Sequence, residues 1–199
     1  MGNKYNKYKC SKKKQFTPKD KEEVSSVDLH DKRVIILSGD IDDKAAINTV
    51  ELLLKMDACN HKDITMFLSS PGGSVYAGFL IYDVMNLIKS NVRTIGFGRI
   101  SSMATILLIN GAKGKRCILP NSSVMIHEVN TFTEGRVSEL NERLKHTRSL
   151  NDRLVKVMAS KTNRSAKQIS EYIVNKDYWM DAKTALKYGF VDKVLENEQ

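Results

Sequence analysis

The chain has little with which to cross-link or anchor itself. Its 199 residues include three cysteines, Cys10, Cys59 and Cys117, an odd number with no CxxC pair. That count argues against a disulfide framework and offers no zinc-ligand spacing; it fits a reducing compartment, and a cytoplasmic location is expected. No apolar run approaches the roughly 20 residues that cross a bilayer, and no apolar secretory segment follows the start. The opening "MGNKYN" has Asn6 where a myristoylation signal wants Ser or Thr, which rejects that anchor as well. Internal repeats are lacking, and so is low complexity outside the first residues.

What is present is ordinary for a soluble globular domain, with 41% hydrophobic and 28% charged residues. The net charge of +9 is unevenly placed: residues 1–19 hold seven lysines and no acid. Residues 1–26 therefore read as a lysine-rich arm, flexible or solvated rather than nucleic-acid-binding, and residues 27–199 as one domain.

Within the domain the pattern alternates. "RVIILSG" (33–39) reads as a strand and "IDDKAAINTVELLLKMDA" as a helix with acids in its first turn. "DITMFLSS" (63–70) is a second strand, broken by "PGG", and 74–90 a second helix. "VRTIGFG" is a third strand, and "SSMATILLING" a helix ended by Gly111. "RCILP" and "SVMIHEV" are short strands, and "SAKQISEYI" and "DAKTALKYG" short helices. Such alternation predicts an α/β domain with a largely parallel sheet. The charged helix over about 136–161 differs in kind. Its apolar positions, among them Val137, Leu140, Leu144, Leu150 and Leu154, form one stripe, and it is too long to lie wholly against so small a domain. It should project and meet a partner subunit.

Three features could carry chemistry. Ser101 and Ser102 lie between a strand and a helix, where a hydroxyl is either an N-cap or a nucleophile. A serine becomes nucleophilic when a histidine takes its proton, aided by a carboxylate that fixes the imidazole. His127 follows the apolar "SVMI", at the strand end where α/β folds collect ligands. The Pro71-Gly72-Gly73 turn and the start of the helix at Met103 can present backbone N–H groups to an oxyanion. Taken singly, each also reads as a cap, a structural histidine or a turn.

Jointly they resemble one family. "SSPGGSVYAGFLIYDVMNLIKSNVRTIGFGRISSMA", "GAKGKRCILPNSSVMIH" and "DAKTALKYGFVDKVL" recur in order, over about residues 27–196, as in ClpP, the proteolytic subunits of the ATP-dependent Clp proteases. The resemblance implies a ClpP/crotonase-like α/β fold, with stacked parallel sheets, repeated β-β-α units and a projecting handle helix. It implies a serine endopeptidase with Ser102 as nucleophile, His127 as base and Asp177 as its carboxylate. The backbone N–H groups of Gly73 and Met103 form the oxyanion hole, and no cofactor or metal is needed. It further implies homo-oligomeric heptameric rings stacked as a tetradecamer, fed with unfolded polypeptide by an AAA+ unfoldase of the ClpX, ClpA or ClpC type, which uses the ATP. Substrate would lie extended beside "NTFTEGRVSE", and the arm of residues 1–26, if not simply flexible, would line an axial pore.

The chain also departs from that family. Arg99, Ile100 and Ser101 replace a glutamine and two alanines before Ser102. Glu128-Val129 replaces Gln-Pro after His127, placing an acid beside the imidazole. Asn175-Lys176 replaces an Asp-Arg pair that links rings in many members, and one extra residue separates His127 from Asp177. Asp181 is the other carboxylate in that region, placed to cap the last helix. Thr65 stands where the family often has an aromatic of the ATPase-docking surface, and Phe67 keeps one. These changes leave a second reading, a weakly active or non-catalytic ring subunit assembling with a paralogue. A crotonase-type acyl-CoA enzyme is a third, and a viral capsid-maturation protease a variant of the first.

Overall fold

β1 (Val34–Ile41) is the first element of the computed structural model, which describes residues 32–196. The lysine-rich arm of residues 1–26 lies outside the described residues. β1 is β-branched and pairs in parallel with β2 (Ile64–Gly73), Val34 opposite Thr65. β2 buries every second residue from Ile64 to Gly72, so one face of the sheet is covered. Between them runs α1 (Asp43–Cys59), whose N-terminus is capped by Asp42 accepting from the Ala45 N–H at 2.7 Å. Its buried residues, Ala46, Thr49, Leu53 and Met56, recur at three and four and form the stripe laid on the sheet. α2 (Val75–Leu87) repeats the arrangement with Ser74 as its cap and Ala77, Gly78, Ile81 and Met85 inward.

β3 (Val92–Ser101) pairs in parallel with β2 and is the strand at which the sheet divides. Its middle, Thr94 to Gly96, pairs with β4 (Arg116–Ile118). Its end, Arg99 to Ser101, pairs instead with β5 (Ser123–Ile126). Beyond β4 lies β7 (Lys193–Val194), and beyond β5 lies β6 (Tyr178–Asp181), which pairs antiparallel. Among the described residues seven strands thus form one branched, mainly parallel sheet, the α/β arrangement expected.

Two short helices complete the core, one of them wholly buried. α3 (Met103–Ile109) is buried at every residue, and α6 (Ala182–Lys187) buries Ala182 and Ala185. α2 approaches α3 so closely that a Cβ on Gly78 would fall 2.2 Å from the Met103 Cγ. Phe190, Leu53, Leu68, Leu107 and Ile81 are among the largest wholly buried side chains, each contributing about 1.5–3 kcal/mol of transfer free energy. α5 (Ala166–Ile173) opens with a capping box between Ser165 and Gln168.

α4 (Val137–Lys161) is 25 residues long, about 37 Å at 1.5 Å per residue. Only Leu150, Leu154, Val155 and Met158, all in its second half, are buried. The first half is largely exposed and meets the domain through His146, whose ring stacks on Tyr76 of α2 at 6.3 Å between centroids.

Three local expectations are corrected. The proline-glycine pair does not break the second strand: β2 continues through Pro71 to Gly73, with a register shift against β1 between Ser38 and Asp40. Ser101 is the last residue of β3 rather than the first of a helix, and α3 stops at Ile109, two residues before Gly111. β6 and β7 were not anticipated; both are too short to show a period of two.

Candidate active site

The backbone at Ser102 is bent into a conformation that L-residues rarely adopt, φ 55° and ψ −121°. Such a geometry costs on the order of 1–3 kcal/mol and persists only where its surroundings hold it. They do so here. The Ser102 N–H donates to the Met125 carbonyl at 2.9 Å, and the Thr105 N–H donates to the Ser102 carbonyl at 3.0 Å. The buried Thr105 hydroxyl reaches the carbonyls of Met125 and Ile100, at 2.9 and 3.1 Å. A sharp strand-to-helix turn of this kind thrusts its side chain out from the sheet end. The Ser102 hydroxyl accordingly makes no helix-capping bond, which closes one of the two readings of the serine pair. The Ser101 hydroxyl is buried and has no hydrogen-bond partner among the described residues.

His127 follows β5 directly. Its Nε2 lies 2.8 Å from the Ser102 Oγ, a good hydrogen bond. On the far side of the ring, Nδ1 lies 3.4 Å from the Asp177 Oδ1. The antiparallel register of β5 and β6 explains this approach. Ile126 pairs with Tyr178, so the next residue along β5, His127, faces the one before Tyr178, Asp177. Asp181, the other carboxylate, accepts from the Thr184 N–H at 2.7 Å and caps α6. Bonds from the Thr184 hydroxyl and N–H hold its carboxyl below the usual range. It is occupied elsewhere, and Asp177 alone of the two approaches the imidazole.

Ser102, His127, Gly73 and Met103 line one cavity of about 220 Å³, whose floor includes Leu154 and Met158 of α4. Asp177 lies in an adjoining hollow that shares His127 and Glu128, with the histidine between the two spaces. Gly72 and Gly73, at φ +102° and +150°, carry the chain past the serine. A Cβ on Gly73 would stand 2.4 Å from the Ile41 carbonyl oxygen, and one on Gly72 would stand 3.1 Å from the Met103 nitrogen. Glycine at both places brings backbone, rather than side chain, to the cavity wall. Glu128, the acid beside the histidine, borders both hollows and accepts from the Asn175 N–H at 3.2 Å.

All five residues expected at the site are therefore grouped, four around one cavity and Asp177 behind the imidazole. Thr105 was not singled out by sequence reasoning. A threonine inside an apolar helix, two hydroxyl bonds from a strained turn, carries no local pattern of its own. Among the described residues no cluster of His, Cys, Asp or Glu could hold a metal ion.

Comparison with known proteins gives the family of the chain as a whole. The family model described as Clp protease matches residues 19–198. The ATP-dependent Clp protease proteolytic subunit of Streptococcus mutans is 43% identical over 173 residues, 84% of this chain and 86% of that protein. Proteins of the same name from Streptococcus equi and Streptococcus pyogenes are 40% and 39% identical over 170 residues, with the same coverage. The chain belongs to the Clp protease family, and its activity is that of a peptidase.

Proposed function

We propose that the chain is a serine-type endopeptidase in which Ser102, His127 and Asp177 act as one unit. The observation that carries this is the 2.8 Å contact between Ser102 Oγ and His127 Nε2. An isolated hydroxyl is a weak nucleophile; one already bonded to an imidazole nitrogen can lose its proton as it attacks. Nε2 takes that proton while Oγ bonds to the peptide carbonyl carbon. The carbonyl oxygen, now negative, is met by the N–H groups of Gly73 and Met103, each such donor worth roughly 10²–10³ in rate. His127 then gives the proton to the departing amine, and water releases the acyl group by the same steps in reverse. Asp177 favours the tautomer with its proton on Nδ1 and stabilises the imidazolium as it forms. The chemistry uses protein groups and water alone.

We further propose assembly into stacked heptameric rings in the cytoplasm, served by an AAA+ unfoldase that spends the ATP. The relatives are named ATP-dependent, and the exposed first half of α4 supplies a surface of the required kind. Enclosure suits an exposed triad of this kind, because access then sets specificity.

The test is Ser102→Ala against small fluorogenic peptides. Loss of turnover to the buffer rate, with an unchanged melting curve, is expected; retained turnover overturns the assignment. A fluorophosphonate probe separates the weakly active alternative, since a catalytic chain labels at Ser102 and a scaffold subunit does not.

A further inference from the structure

Asp177 is the least secured member of the site. Its side chain is 54% exposed, and it precedes a strand of four residues. Yet it must stand at one place behind the imidazole. Two structural features meet on either side of it, and neither takes part in the chemistry described above.

On the C-terminal side stands Tyr178. Its ring lies on that of Tyr172 in α5, centroids 4.5 Å apart and planes 9° from parallel. Tyr172 lies in turn on Tyr188, just past α6, at 5.8 Å and 9°. The Arg164 guanidinium closes the column, 4.1 Å from the Tyr188 centroid. Three rings from three separate elements thus fix the residue that follows Asp177. The Tyr178 hydroxyl is pushed up to about 12, by its hydrogen bond to Tyr188 and then by burial, so the column stays uncharged at Tyr178 throughout the neutral range.

On the N-terminal side stands Asn175, in the left-handed region at φ 58°. Its N–H is the group that Glu128 accepts at 3.2 Å. Glu128 adjoins His127, and Asn175 lies two residues before Asp177. One hydrogen bond therefore ties the segment carrying the base to the turn carrying its carboxylate. Glu128 and Asn175 are also both positions at which the chain departs from its family's pattern, and the two departures touch.

We propose that Glu128 and Tyr178 are positioning residues, which brace Asp177 from either side at its distance from the His127 ring. Each acts through Asp177, Glu128 by way of the Asn175 N–H and Tyr178 as the next residue along the chain. The inference rests on the serine-protease reading of the site. A displacement of the carboxylate by even an ångström withdraws support from the imidazolium in the transition state, so the loss falls on kcat rather than KM.

The experiment is a pair of double-mutant cycles in the full chain. Tyr178→Ala is expected to lower kcat by roughly ten- to a hundredfold with KM within about twofold, and Tyr178→Phe, which keeps the ring, to stay within about twofold of the parent. Glu128→Ala is expected to lower kcat by about three- to tenfold, and Glu128→Gln, whose amide oxygen still accepts, to restore it. The deciding measurement repeats both alanine changes in an Asp177→Asn background, following acylation by a fluorophosphonate at high enzyme concentration. There neither should cost more than about a further twofold, because the residue they act through is already disabled. Equal losses in both backgrounds overturn the proposal, as does a parental kcat in the Tyr178→Ala protein. Should that variant fail to fold by thermal melting, the exposed Glu128 cycle carries the test alone. Full activity of Asp177→Asn itself would instead overturn the triad reading beneath the proposal, a result distinct from failure of the brace.

Discussion

Gly72 lies against Ser102 with no room between them: a Cβ at position 72 would stand 2.7 Å from the Ser102 Cβ and 2.8 Å from the Ser101 carbonyl oxygen. The contact is with backbone and with the base of the side chain, which cannot swing aside. The φ of +102° adds a second demand that only glycine meets without strain. Gly72→Ala is therefore expected to displace Ser102 from His127, to lower peptidase turnover more than about a hundredfold, and to cost about 2–4 kcal/mol of stability. Gly114→Ala is the control. Its φ is +80°, but nothing lies within 4 Å of the added carbon. A cost of about 1 kcal/mol with turnover unchanged is expected there. Peptide assays beside urea unfolding curves check both, and equal turnover in the two variants would refute the steric account.

Asp57, at the end of α1, gives a stability effect with a defined pH window. Burial pushes its carboxyl up, but bonds outweigh this: the Ser90 hydroxyl and N–H each donate at 2.8 Å, and His61 lies at 3.1 Å. The carboxyl falls from its ordinary 3.8 to about 2. A folded value below the unfolded one means that the stabilisation is present above 3.8 and fades as pH falls through about 2. Allowing for solvent screening, Asp57→Asn should cost about 1 kcal/mol near neutrality. Denaturant unfolding of both proteins from pH 7 downward checks this. The difference between them should shrink toward zero at the acid end, and a constant difference would contradict it.

Much of this was legible in the sequence because its signals are local. The stripe in α1 and the alternation of β2 are periodicities. Ser102 and His127 were marked by a run of small and apolar residues around a polar one. What escaped was set at a distance. β6 is four residues long and owes its existence to pairing with β5; no pattern in "YWMD" announces it. Asp177 is named over Asp181 only through the family resemblance; the physical reason is again one of register, since the pairing of Ile126 with Tyr178 decides which carboxylate meets the imidazole. The glycines of "PGG" read as a break because glycine usually ends strands. Here they extend one, at a place where two backbones must pass without side chains.

Arg116 and Asp192 form a largely buried ion pair that joins β4 to the chain before β7. The guanidinium donates twice, Nη2 to Oδ1 at 2.5 Å and Nε to Oδ2 at 3.0 Å, and Nη1 donates to the Lys161 carbonyl at the end of α4. Burial pushes the Asp192 carboxyl up, but these bonds outweigh it and hold it below the usual range. Removing the guanidinium leaves the Asp192 charge unpaired, with only the backbone N–H groups of Arg116 and Gly114 as donors. Arg116→Ala should cost about 3–5 kcal/mol, and the double change Arg116→Met with Asp192→Leu should cost less than that single one. Arg116→Lys should recover little, because an ammonium cannot make the paired bonds and reach the Lys161 carbonyl together. Thermal or denaturant melts of the four proteins decide it. A double variant less stable than Arg116→Ala would show the packing, not the stranded carboxylate, to be the larger cost.

The two halves of α4 should respond differently to substitution, because one serves the core and the other stands clear of it. Leu154 is buried on the domain, and Leu154→Ala should cost about 2–5 kcal/mol by leaving a cavity. Val137 and Leu144 belong to the same stripe but are 75% and 42% exposed. An amphipathic helix that holds apolar residues in water along half its length is expected to cover them against another subunit. Leu144→Asp should accordingly leave the stability of the folded domain within about 0.5 kcal/mol, while it lowers the mass of the assembled particle. Light scattering reads the mass, and the peptide assay shows whether activity falls with it. If Leu144→Asp destabilised the domain and left the mass untouched, the exposed half of α4 would belong to the fold rather than to an interface between rings.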